Sequence, residues 1–215
     1  MKHSSSAVLR RVGVVPLACV IGAVLIVAIA GIAWNTSPYY GRDDRVAAAA
    51  PDTAPVPSVT GTYRAALAPT RIDIPRLKAT ARIVEVATSP DGELEIPKNP
   101  KIVGWWSPGA KPGARKGTAV LSSHINYAGV TGTFASIGKL HKDDVVDVYG
   151  KYNARKTKVR FRVTAVRTYH KTALPYRQIF DQKIAGRIAL VTCGGPFDAA
   201  TGNYLDNIVV YGVAT

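Results

Sequence analysis

Few side chains in this 215-residue sequence carry nucleophilic or proton-transfer chemistry near neutral pH: two cysteines and four histidines. Cys193 stands where the apolar run of "LVTCGGPFDAATGNYLDNIVV" meets Gly194 and Gly195. A thiol in that setting is either a buried, inert hydrophobe or a nucleophile, and the nucleophile needs a nearby base or cation and some exposure. His124 closes "GTAVLSSH", another small-and-apolar strand pattern that ends in polar residues. Both reactive types therefore sit at the same kind of place, the end of a strand. That pairs His124 with Cys193 ahead of His141 ("KLHKDD") and His170 ("TYHKT"), whose neighbours are polar and solvated. A structural, hydrogen-bonded role is the competing reading for His124.

The elements that must position this pair read as short strands. "RIDIP" (71–75) alternates, and "ARIVEVA" (81–87) gives a second strand. A turn is expected at Asp91–Gly92. Strands follow over 117–124, 144–149 and 158–166, and "RIALVTC" and "DNIVVYGV" are the last two. Phe134, Ile137 and Leu140 recur at helical spacing and predict a short helix. Lys158 to Val166 alternates basic and apolar residues, a half-exposed strand that accounts for several charges by itself. Short strands with little helix predict a closed or nearly closed β-barrel.

Upstream, the texture differs. Residues 1–11 are short and basic, and 12–34 contain no charge over about 23 residues, long enough for a helix to cross a bilayer. Trp34, Tyr39 and Tyr40 follow where interfacial aromatics belong. The sequence predicts an uncleaved single-pass anchor, a cytoplasmic N-terminus and an extracellular bulk. A cleaved signal peptide would have a shorter apolar region with small residues after it. Residues 35–69, with "VAAAAPDTAPVPSV", read as an Ala/Pro-rich stalk, and 70–215 as the functional domain. Cys19 lies inside the apolar span, so Cys193 is the exported part's one cysteine and has no partner there. The balance of 28 Lys and Arg against 14 Asp and Glu, net +14, suits an anionic partner or a solvated surface. Export removes nucleic acid from the candidates and leaves a membrane face or an anionic polymer.

The motifs together carry a resemblance. "LVTC", the histidine stretch "AVLSSHINYAG", and the longer order "ELEIPKNPKIVGWW…TAVLSSH…TCGGPFD…YLDNIVVYG" resemble the sortases, class F of actinobacteria in particular and the neighbouring class E. The likeness covers 70–215. It implies a mainly β, eight-stranded sortase-like barrel with short helices. It also implies a cysteine transpeptidase that cleaves an LPXTG-type sorting motif of exported proteins between Thr and Gly. Cys193 would form the acyl thioester, and His124 would donate and accept the proton. An amine, such as that of a peptidoglycan precursor, would resolve the thioester, with no metal and no organic cofactor. A thiol peptidase using water as acceptor, or a weakly catalytic module that binds sorting signals or envelope polymer, are the alternatives.

The chain departs from the family pattern at three places. Ser123 precedes the histidine where glycine is usual, and Ala189 opens the cysteine motif. No arginine occupies the strand after the cysteine, where Leu205 or Asn207 stands instead. Alternation puts both on one face, and Asn207 is the candidate oxyanion donor in place of the family arginine, because its amide donates hydrogen bonds. Arg187 shares the cysteine's strand but lies six residues back, roughly 20 Å away if the strand is straight. Arg82 and Arg177 are remoter candidates. Trp105 and Trp106 frame a groove or pack in the core. Asp143, Asp144 and Asp147 do not match a calcium loop, and Asp198 and Asp206 are expected to shape a loop.

Overall fold

Alternation decides which face of each strand is buried. In β1 (Ala68–Ile74), Ile72 and Ile74 are buried while Arg71 and Asp73 point outward. In β8 (Arg155–His170), Val159, Phe161 and Val163 are buried between exposed basic residues. The intervening strands are β2 (Ala79–Val86), β3 (Ile102–Trp106), β4 (Thr118–Ser122), the two-residue pair β5 (Asn126–Tyr127) and β6 (Val130–Thr131), and β7 (Val145–Tyr152). The last are β9 (Arg187–Asp198) and β10 (Asn203–Ala214), and among the described residues the α-helical turn, α1, is Tyr176–Ile179. These come from a computed structural model that describes Val56, Gly61 and residues 65–215.

Eight strands close into a barrel in the order β1-β2-β3-β4-β9-β10-β8-β7. Closure leaves no exposed edge for pairing with another chain. Most neighbours are antiparallel, and β2–β3 and β4–β9 are parallel. The inside is filled by Ile72, Ile83, Val103, Leu121, Phe161, Leu190 and others. A second apolar cluster lies on the outer face of β4, β9, β10 and β8, built on Val120, Ala189, Val209, Tyr211, Ala165 and Tyr169. Residues 171–186 cover it with Leu174, Ile179 and Phe180. β4, β9 and β10 are buried on both faces, which is why they read as continuous apolar runs, whereas β1 and the first half of β8 alternate.

Three expectations change. β9 does not stop at the cysteine: it continues to Asp198, carried past the two glycines by a bulge in which Gly195 has φ +72°. Phe134, Ile137 and Leu140 are buried, but only Ile137–Lys139 turns helically, as a 3₁₀ turn. β1 begins at Ala68 and Leu67 is fully buried, so the folded domain starts ahead of residue 70. The apolar span 12–34 and most of the stalk lie outside the described residues. Among the described residues no helix is long and apolar enough to cross a membrane.

Candidate active site

Register brings the sequence-predicted residues into one row on the barrel's outer face. Cys193 on β9 lies directly opposite Asn207 on β10, and Asn207 lies opposite Tyr169 on β8. Directly opposed residues of an antiparallel pair project to the same side of a sheet. On the other flank, Ser122 of β4 is level with Val191 of β9. The alignment continues past the end of β4: the Ser123 amide donates to the Val191 carbonyl, and the Thr192 hydroxyl donates to the Ser123 carbonyl at 2.9 Å. His124, two residues beyond Ser122, therefore comes alongside Cys193, two residues beyond Val191. The row runs His124, Cys193, Asn207, Tyr169.

The loop after β4 holds His124 from several directions. Its ring stacks on Tyr127 with centroids 4.8 Å apart. The next residue but one, Asn126, donates through Nδ2 to the Tyr204 hydroxyl on β10 at 3.0 Å, which ties this loop to the strand carrying Asn207. The chain returns at Gly132, whose amide donates to the Ile125 carbonyl at 2.8 Å. A Cβ at Gly132 would stand 1.8 Å from the His124 carbonyl oxygen, so only glycine lets the two backbones pass. Ser123, in place of the usual glycine, is fully buried and donates its hydroxyl to the Ile102 carbonyl at 3.0 Å, which binds the loop to β3.

Burial sets the protonation states. It pushes the Cys193 thiol above its ordinary range, and the Lys171 ammonium partly opposes this by favouring the thiolate. Lys171 opens the 3₁₀ turn that follows β8, two residues past Tyr169 in the site row. Burial likewise lowers the His124 imidazole, with the Pro97 backbone acting in the opposite sense. At neutral pH the resting pair is thus a neutral thiol beside a neutral imidazole. A neutral imidazole has a ring nitrogen able to accept a proton, and a neutral thiol has a proton to give.

The sequence profile of the sortase domain family matches residues 72–215, the greater part of the chain. The chain belongs to the sortase family. Sortases are cysteine transpeptidases, and the eight-stranded barrel is the sortase fold. Among solved structures, sortase C from Streptococcus pneumoniae is similar at 15% identity and a TM-score of 0.52, with 68% of each chain covered. Sortase C1 from Streptococcus suis is similar at 15% identity and a TM-score of 0.51, covering 68% of this chain and 72% of that one. Sortase C1 of the group B Streptococcus pilus island 1 is 18% identical with a TM-score of 0.51, covering 68% of this chain and 63% of that one. No curated protein matches the sequence significantly.

In this sortase the segment 171–186 forms a wall over the outer face, next to the site row. Arg187, at the start of β9, fixes it there. Its Nε donates to Thr118 Oγ1 at 3.1 Å, its guanidinium also donates to the Gln178 carbonyl, and its charge lies 4.8 Å from the centre of the Tyr211 ring. Gln182 adds a bond from Nε2 to the Thr118 carbonyl at 3.1 Å and accepts from the Ala110 amide at 2.9 Å. Arg187 is thus committed to the wall, at the opposite end of β9's apolar run from the thiol. The two tryptophans part ways. Trp105 is in the barrel core with its indole N–H donated to Ala110, whereas Trp106 joins the outer cluster edge-to-face with Phe180, centroids 5.0 Å apart. Trp106, Phe180, Leu174 and Val191 are partly buried apolar residues packed on that face.

The remaining candidates lie apart from the row. Leu205 is exposed opposite the bulge. Arg82 is on β2, across from Arg71, and Arg177 is in α1. His141 is an exposed neighbour of Asp144, and His170 caps the 3₁₀ turn through Nδ1, 2.7 Å from Thr172 Oγ1. Asp143, Asp144 and Asp147 each face a different arginine: Arg162, Arg76 and Arg160. Among the described residues no cluster of three metal-ligating side chains forms. Asp198 shapes the β9–β10 turn by accepting from the Ala200 amide and the Thr201 hydroxyl, both at 2.9 Å. Asp206 is buried against Gly195, where an added Cβ would meet its carboxylate at 2.0 Å. Sequence reasoning passed over Lys171, Tyr127, Gly132 and the Asn126–Tyr204 bond. Their only signal in the chain is proximity to a histidine or a strand end.

Proposed function

We propose that this sortase is of the class F type, close to class E, anchored in the cell membrane by residues 12–34 with its barrel outside. It cleaves an LPXTG-type motif near the C-terminus of exported proteins. The Cys193 sulfur attacks the carbonyl of the Thr–Gly bond as His124 takes the thiol proton. The resulting oxyanion accepts a hydrogen bond from the Asn207 side-chain amide. The C–N bond then breaks, His124 returns its proton to the leaving amine, and an acyl thioester remains. An incoming amine, such as that of a peptidoglycan precursor, attacks the thioester, gives its proton to His124 and releases the thiolate for reprotonation.

The observation that supports this most is the row His124–Cys193–Asn207, which brings a base, a nucleophile and a neutral donor together from three different strands and loops. Intact mass of the full chain in detergent, incubated with an LPXTG-type peptide, tests it. An acyl adduct on the parent, absent from Cys193→Ala and released by an added amine as ligated peptide, is the expected result. Release to water alone, with no ligated product when amine is present, makes the protein a peptidase instead. No adduct, together with slow alkylation of Cys193 from neutral to alkaline pH, makes the thiol inert and overturns the proposal. Asn207→Ala should slow acylation by about 100-fold while leaving alkylation of the thiol unchanged.

A further inference from the structure

The far side of the barrel carries a feature that acyl transfer does not use. In the closed strand order β1 stands four places from β9, so the outer face of β2, β1, β7 and the first half of β8 lies across the barrel from Cys193. Register gathers positive charge on that face. Arg82 is opposite Arg71, Arg71 opposite Tyr149, and Tyr149 opposite Lys158, one row crossing four strands. In a neighbouring row of the same face Lys151 is opposite Lys156, and on the other side Arg160 is opposite Asp147. These six cations share the face with two carboxylates, Asp73 and Asp147, and Arg162, the next outward residue of β8, is paired with Asp143.

The carboxylates do not cancel the face. Asp147 is buried and spends both oxygens on Arg160 and Lys158, at 2.8 and 3.0 Å. Asp73 is 3.1 Å from Arg71. Among the described residues no acid pairs with Arg82, Lys151 or Lys156. Tyr149 holds the centre, with the Arg71 guanidinium 4.0 Å over its ring and the Lys158 ammonium 5.6 Å from it. The aromatic ring thereby keeps two cations side by side that would otherwise spread apart.

The face is also recessed. Thr70, Arg71, Tyr149, Lys151, Lys156 and Lys158 line a groove of about 640 Å³ whose floor includes Gly150. Side chains on alternate residues of a strand stand about 7 Å apart, so Lys156 and Lys158 present charges at regular intervals along it. A bilayer meets only the outermost tips of such a face, whereas a flexible chain enters the groove. Lysine and arginine both form charge-assisted hydrogen bonds to phosphate.

We propose that this groove binds a linear phosphodiester polymer, one whose anions recur along the chain as the cations recur along the strands. Because the groove is across the barrel from Cys193, an occupied groove leaves the thiol's face open. Binding would hold the enzyme beside the polymer while acyl transfer proceeds.

The test uses the full chain in detergent and a short fluorescein-labelled poly(glycerol phosphate), with binding read by anisotropy over a salt series. Lys151→Gln/Lys156→Gln should weaken binding at least tenfold and flatten its salt dependence, because fewer counterions are released on binding. Lys98→Gln/Lys183→Gln, a distant pair, should change it less than twofold. Alkylation of Cys193 at the parent rate verifies that the groove variant is folded. Equal losses from both pairs would mean diffuse attraction to the net charge and overturn the proposal. Equal binding of labelled polyglutamate would overturn the phosphodiester assignment. Groove-dependent binding of phosphatidylglycerol vesicles without binding of the polymer would make a lipid surface the partner and overturn it too.

Discussion

Cys193 and His124 are both displaced toward their neutral forms by the same cause, burial, acting with opposite sign on an acid and on a base. Between a lowered imidazole value and a raised thiol value, the thiol keeps its proton and the imidazole carries no charge. Acylation should therefore hold a broad plateau around neutrality, falling on the acid side below the usual imidazole range and on the alkaline side above the usual thiol range. Among the described residues Lys171 is the cation that favours the thiolate. Lys171→Gln should push the alkylation curve of Cys193 further to alkaline pH and slow alkylation severalfold at neutral pH, while Lys171→Arg keeps most of it. Alkylation with iodoacetamide across a pH series reads this directly. A curve that does not move with Lys171→Gln would separate the lysine from the thiol. The thiol and the histidine were legible in the sequence because each closes an apolar stretch. Lys171 was not, because its place beside the thiol depends on β8 and β9 both pairing with β10, which no local pattern reveals.

At the scale of elements, the position of the base depends on a backbone crossing. Gly132 runs so close to the His124 carbonyl that a methyl group has nowhere to go. Gly132→Ala should move the histidine loop away from β9 and lower acylation about 10- to 100-fold, since small displacements of a reacting group cost that much. The closed barrel does not depend on this loop, so the thermal midpoint should fall much less than for a core substitution. Steady-state acylation and a melting curve on the same variant separate the two effects, and unchanged acylation would mean the loop tolerates the shift. Several strands were readable from alternation or from apolar runs. The helix expected from Phe134, Ile137 and Leu140 shrank to a 3₁₀ turn although all three are buried. Periodicity over so few residues records burial, and burial alone does not require a helix. The extension of β9 past Cys193 escaped notice because Gly194 and Gly195 read as a loop, while in the barrel they carry a bulge.

For the whole molecule, the two sides of the barrel differ in composition. The strands around Cys193 are buried on both faces, and the strands opposite alternate apolar with basic. The basic side is held by Asp147, whose carboxyl Arg160 keeps below the usual range, with Lys158 contributing. A depressed carboxyl contributes stability that is present above its unfolded value and lost as pH falls through its folded value. Stability should therefore decline on acidification below the ordinary carboxylate range. Asp147→Asn should remove part of that slope and, at neutral pH, cost about 1–3 kcal/mol, a fall in Tm of roughly 3–10 °C. Denaturant melts of both proteins at neutral and acidic pH measure the difference, and parallel pH curves would assign the acid sensitivity to other groups.

What the sequence determined by itself was local. It set which residues alternate, where an apolar run meets a reactive side chain, and how far basic residues outnumber acidic ones, because each of these is written in neighbouring positions. Its ordered motifs also pointed to the family that the profile over residues 72–215 establishes. The tertiary structure decided what depends on register between distant segments. It set Asn207 opposite Cys193, brought His124 in from β4, and left Arg187 holding a wall instead of facing the thiol. It also collected cations from four strands on the side away from the chemistry. Closing the barrel fixes all these pairings at once, and shifting one strand by a single residue would turn every one of its side chains to the opposite face.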